Sequence, residues 1–256
     1  YFTNSIGAAA GALAATFLLL PWIGMPGAIV VAGVINLLVG LVAWRVAATV
    51  SSAAAPSAPA SASVTAEPVP NRGMSGFQWL MLGGAAITGA SSFVYEVGWI
   101  RLLNQALGTT VHSFELMLTA FILGLAFGGL WVRKRSRKID DPVASAGVAQ
   151  VLMGLAALAS LPMFAQSFQW VGWFMGIFPR TETGYYLFSL GSGVVALLVM
   201  FPAAFFAGMT LPLFTMALLR RGYGEKSIGR IYAANTLGAI VGVVLDASFI
   251  GLGKLL

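Results

Sequence analysis

The chain has 256 residues, of which 59% are hydrophobic and only 9% charged, with a net charge of +6. A soluble domain carries roughly a quarter charged residues, so this composition points to a membrane protein. The absence of Cys excludes disulfides, thiolate metal sites and Cys nucleophiles, and a single His excludes a multi-His metal centre.

Seven stretches are apolar and long enough to cross a hydrocarbon core, which takes about 20 residues per helix. They lie near 3–23, 27–48, 77–98, 110–132, 143–164, 185–219 and 228–250. Between the second and third, residues 51–76 are rich in Ala, Ser and Pro and read as a flexible, partly extended linker. The sixth is too short for three crossings, so one long helix bent near Pro202 and Pro212 is expected.

Most of the positive charge sits in two short loops. Arg133, Lys134, Arg135, Arg137 and Lys138 form one cluster, and Arg220, Arg221, Lys226 and Arg230 the other. Short loops rich in Lys and Arg stay cytoplasmic. The excess charge is therefore read as a topology signal with a secondary affinity for anionic lipid headgroups, and not as a nucleic-acid surface. Counting from these loops puts 165–184 outside and the linker inside, and starts both the first and the last span from the inside.

Those two spans open on the same phrase. Residues 1–12, YFTNSIGAAAGA, match residues 232–243, YAANTLGAIVGV, at Tyr1/Tyr232, Asn4/Asn235, Gly7/Gly238, Ala8/Ala239 and Gly11/Gly242. A repeated helix in one orientation suggests two parallel halves related by an axis along the membrane normal. Residues 1–50 would then be the last two helices of a first half. Residues 77–256 would be five spans of a second half, its final helix missing and the chain an internal piece of a longer protein. Six helices per half is the major-facilitator arrangement, so the expected fold is an all-α polytopic bundle of that kind.

Several motifs carry a resemblance. GASSFVYEVGWIR (89–101), LGTT (107–110), AFILGLAFGG (120–129), FPAAFFAGMTLP (201–212) and GRIYAANTLGAIVG (229–242) resemble the membrane part of bacterial proteins called fused major facilitator/spermidine synthase-like. NSIGAAAGALAATFLLLPWIG (4–24) resembles the matching end of the first half. The pattern departs at Glu115, at Asp246 and in the ending FIGLGKLL. The resemblance implies a bacterial inner-membrane location and a soluble polyamine-synthase-like domain elsewhere in the protein. It implies a membrane part that anchors this transferase and, on a further reading, transports a small polar or cationic solute. Two rival readings are a stand-alone secondary transporter and a non-catalytic subunit that packs against other membrane proteins. No strand, Gly-rich loop and helix followed by an acid is present, so no catalytic residue, cofactor or metal is expected in this stretch.

Few residues could form a polar site within the spans. Glu96 lies in YEVGW, with Arg101 five residues on as its expected partner, and an intramembrane acid usually has a partner or a purpose. Tyr95 and Trp99 fit an interfacial aromatic belt. His112 and Glu115 share a face at the start of the fourth span. Asn4 and Asn235 occupy equivalent repeat positions and suit hydrogen bonding across helices, whereas Gly7/Gly11, Gly124/Gly128 and Gly238/Gly242 have the spacing of close helix packing. Asp246 is deep in the last span with Lys254 as its only nearby cation in sequence, and is expected to face a polar interior or a partner.

Overall fold

The computed structural model of the chain describes residues 2–53 and 74–253, and these are helical apart from short connections. The order is α1 (Phe2–Ala14), a π-helical turn (Ala15–Leu19), α2 (Leu20–Ala53), α3 (Gly76–Leu107), α4 (Val111–Arg135), α5 (Pro142–Ile177), α6 (Glu182–Arg220) and α7 (Lys226–Gly253). Residues 54–73, most of the expected linker, and Lys254 lie outside the described residues.

Among the described residues six helical stretches are long and apolar enough to cross a membrane, where the sequence suggested seven. The difference lies in PWIGMPG. Helix resumes directly after one non-helical residue, Gly24 (φ 65°, ψ −179°), so Phe2–Val46 counts as one stretch. Gly adopts positive φ at no steric cost, and Pro26 falls in the first turn after the break, where its missing N–H removes no intrahelical bond. The helix then continues to Ala53, into what the composition marked as linker.

The chain divides into two units, residues 14–75 and residues 1–13 with 76–256. The first holds the π-turn and α2, whose large apolar side chains are mostly exposed, as on a lipid-facing helix. The second is the bundle.

Side-chain caps set the bundle's helix ends. Thr110 accepts from Ser113 N at 3.0 Å, Asp141 from Val143 N at 2.8 Å with Pro142 at the first helical position, and Thr181 from Gly184 N at 3.2 Å. Each satisfies an otherwise orphaned N–H. Gly108, with φ 85°, turns the chain out of α3, and Arg133, Lys134 and Arg135 complement the negative end of the α4 dipole.

The basic loops mark one end of the bundle. Arg220, at the end of α6, donates from Nη1 to Ile139 O (2.5 Å) and Asp140 O (3.0 Å) and from Nη2 to Ser136 O (2.8 Å), joining the two loops. Arg221 lies 3.6 Å above the Phe77 ring, so α3 also begins there. Thus α3, α5 and α7 run away from the basic end, and α4 and α6 run back to it. Helix α6 passes unbroken through Pro202 and Pro212 and contributes to both apolar clusters. One, around Leu213, Leu218, Val132 and Ile231, lies toward the basic end; the other, around Trp99, Met117, Val195 and Val199, lies toward the far end.

The most extensive contacts join α4 to α6 and α3 to α7. Both pairs are parallel and rest on glycine. A Cβ added at Gly128 would collide with Phe205 O, at Gly124 it would lie 2.6 Å from Ala204 Cβ, and at Gly208 it would collide with Leu125 O. On the other pair, Gly238 abuts Ala86 O, Gly242 lies against Ala90, and Gly89 abuts Asn235 O. Gly7 and Gly11 have nothing within 4 Å of such a Cβ, so in this chain they hold no helix against another.

Two outcomes follow from these contacts. Gly128→Ala should lower the thermal unfolding midpoint in detergent, at a cost of about 1–3 kcal/mol for a forced shift of packed helices, whereas Gly147→Ala, which meets nothing within 4 Å, should not. Arg220→Lys should speed hydrogen exchange over residues 136–141, because a point charge cannot satisfy three carbonyls as the planar guanidinium does. Its cost should be about 1 kcal/mol, since the side chain is exposed.

Candidate intramembrane polar site

Helix α3 carries Tyr95, Glu96, Trp99 and Arg101. Tyr95 donates its hydroxyl proton to Val199 O at 2.9 Å, which fixes α3 against α6. Trp99 is 5% exposed and packs edge-on to Tyr95 and Phe164. The reason is its position on the α3 face that carries Leu103 and Leu107 into the far-end core.

Arg101 turns away from Glu96. Its Nη1 lies 3.1 Å from Asp246 Oδ2, with side-chain exposures of 47% and 14%. Five residues of α-helix separate Glu96 and Arg101 by about 140° around the axis, whereas parallel α7 brings Asp246 alongside. The expected Glu96–Arg101 pair is therefore replaced by an α3–α7 pair. The partner suggested for Asp246 by sequence proximity, Lys254, lies outside the described residues. Glu96 is half-buried, with no ion pair or side-chain hydrogen bond among the described residues.

His112 and Glu115 start α4 at the same end. The His112 ring meets Tyr185 of α6 edge-on at 5.8 Å, and Glu115 is half-buried with its Oε2 enclosed and unpartnered. Asn4 is exposed, while Asn235 is half-buried against Gly89, so the two equivalent Asn residues do not meet in one polar centre. The starts of the two repeat copies nevertheless share a feature. Phe2 and Thr3 from one and Tyr232 from the other line the same cavity of about 550 Å³ at the basic end, with Arg133, Thr215 and Arg220.

The candidate acids and His112 thus fall in separate places instead of one constellation: Arg101–Asp246 between α3 and α7, Glu96 alone on α3, and His112–Glu115 beside α6. Scanning for charge in apolar spans missed a second set of polar groups. Gln150 of α5 donates from Nε2 to Thr88 Oγ1 of α3, and Thr88 Oγ1 donates to Gly84 O at 2.7 Å. Asn104 Oδ1, Thr119 Oγ1, Ser192 Oγ and Thr215 Oγ1 are buried without a hydrogen-bond partner. Uncharged polar residues at helix-buried spacing were the available signal.

Comparison with known proteins gives one informative similarity. The chain is 25% identical over 170 residues to Polyamine aminopropyltransferase 2 of Streptomyces coelicolor. That alignment covers 64% of this chain and only 28% of the relative. No family model matches the chain, and no solved structure matches it.

The Arg101–Asp246 contact is open to a charge-exchange test. Arg101→Ala and Asp246→Ala should each lower the unfolding midpoint, and the exchanged pair Arg101→Asp/Asp246→Arg should recover part of the loss. A strictly additive double-mutant cycle would show that the two side chains do not interact.

Proposed function

We propose that this chain is the membrane-spanning part of an aminopropyltransferase-like protein and holds a transferase domain at the inner face of a bacterial membrane. One observation carries the reading: a 170-residue similarity to a polyamine aminopropyltransferase cannot avoid the apolar helices, which fill almost all of the described residues. What the two proteins share here is therefore membrane-type helix. Aminopropyl transfer needs a nucleoside-binding loop after a strand and a pocket for a cationic amine, and the described residues contain no strand. The chemistry belongs to another part of the whole protein. Parallel halves of major-facilitator type agree with the repeated phrase, and with Thr3 and Tyr232 lining one cavity.

A transport role is the second reading, favoured by that same cavity. Its lining sets a condition on the cargo. Arg133 and Arg220 line it and no carboxylate does, so a polycation would meet only like charge there. A solute taken from the basic end would be neutral or anionic, in contrast to the cationic solute that a polyamine connection first suggests.

The test uses the full-length protein. Membranes washed with alkaline carbonate should retain both the chain and aminopropyl transfer to a diamine acceptor. Expressing the transferase domain without any of the membrane-spanning helices should leave its activity in the soluble fraction. Extraction of the intact chain by carbonate would overturn the anchoring role, and washed membranes without transferase activity would overturn the link to aminopropyl transfer.

A further inference from the structure

The cavity of about 550 Å³ at the basic end is cationic at its mouth and largely apolar farther in. Two helices give it this polarity, and both run toward the basic end. On α6 the lining passes from Pro212 through Met216 to Arg220, a length of about 12 Å at about 1.5 Å per residue. On α4 it passes from Gly129 to Arg133 and Ser136. Phe2 lines the inner part, its ring edge-on to Phe127 of α4 at 6.4 Å. Hydrogen bonds join the groups at the mouth. Arg220 Nη2 donates to Ser136 O at 2.8 Å, and Ser136 Oγ donates to Arg133 O at 3.0 Å. The three bonds of the Arg220 guanidinium all go to neutral carbonyls, so its charge is held in place without being compensated. Two of its five N–H groups remain for a ligand. Among the described residues neither Arg133 nor Arg220 forms an ion pair with a carboxylate. Leu219 and Tyr232 line the cavity and are also 41% and 39% exposed, so it opens on the flank of the bundle.

We propose that this cavity binds an anionic phospholipid from the leaflet at the basic end, with its phosphate at Arg133 and Arg220 and the start of an acyl chain along Met216, Pro212 and Phe2. A basic pocket between transmembrane helices, at the level of the headgroups, is suited to a lipid phosphate. Both cations that line the cavity are arginines, and the planar guanidinium matches phosphate oxygens better than an ammonium does. A free phosphate would use the same two arginines. It would leave the apolar length of the cavity facing water, whereas an acyl chain covers it. The occupant is therefore an amphiphile and not a small soluble anion. The site holds whether or not the chain anchors a transferase or moves a solute, so its failure would touch neither reading.

The experiment measures thermal unfolding of the delipidated full-length protein in detergent, titrated with phosphatidylglycerol, with phosphatidylcholine or with soluble glycerol 3-phosphate. The midpoint should rise with phosphatidylglycerol and saturate, and should move little with the other two. Arg133→Gln alters an exposed side chain and should leave the lipid-free midpoint in place. It should shift the half-effect to about tenfold more phosphatidylglycerol, the loss of one charge-assisted contact. Arg137→Gln removes a charge of the same loop that does not line the cavity, and should leave the titration unchanged. Equal weakening by the two variants would overturn the proposal in favour of diffuse attraction to the basic loops. An equal response to phosphatidylcholine would overturn it in favour of apolar filling alone. A full response to glycerol 3-phosphate would reassign the cavity to a soluble anion. A wild-type midpoint indifferent to all three would overturn it in favour of a cavity closed by protein.

Discussion

Backbone-to-backbone contact at glycine is the constraint on which the bundle rests. In lipid, apolar side chains gain little by leaving hydrocarbon for one another, so helix association depends on close packing and on polar contacts. Gly124, Gly128 and Gly208 let α4 lie against α6, and Gly89, Gly238 and Gly242 let α3 lie against α7. Polar contacts add to this packing. Tyr95 reaches a carbonyl of α6, Gln150 reaches Thr88, and Arg101 reaches Asp246. Moving α3 and α7 apart by the width of a methyl group would weaken the Arg101–Asp246 contact between them.

The division between packing and polarity follows the two ends. At the basic end, arginines cap carbonyls and stack on aromatic rings, as with Arg220 on the α4–α5 loop, Arg221 on Phe77 and Arg135 on Trp131. At the far end the acids Glu96, Glu115 and Asp246 sit among apolar neighbours, and only Asp246 is joined to a basic side chain by a direct ion pair described here. The two ends of the bundle therefore differ in charge, with clustered arginine and lysine at one and these three acids toward the other.

Much of this architecture was legible in the sequence because local rules govern it. Span positions follow hydropathy. The seven spans read from hydropathy appear as six helical stretches because the septet that reads as a turn holds a single residue of positive φ, Gly24, which interrupts the helix without a loop. Side-chain partners were less legible. Arg101 pairs with a residue on a helix that becomes its neighbour only in the folded bundle, and Trp99 is buried by the same tertiary arrangement. Asn104, Thr119 and Ser192 escaped notice because uncharged polar residues are common in spans and nothing local distinguishes a satisfied hydroxyl from an orphan.

The reach of Arg220 over the α4–α5 loop has a consequence for the order in which the protein is built. The carbonyls of Ser136, Ile139 and Asp140 emerge during synthesis well before α6 does, and until it arrives only water can serve them. The loop must therefore wait, hydrated, through the insertion of two further spans. Its closure becomes a late event of biogenesis, and marks the moment when α6 has docked at full depth.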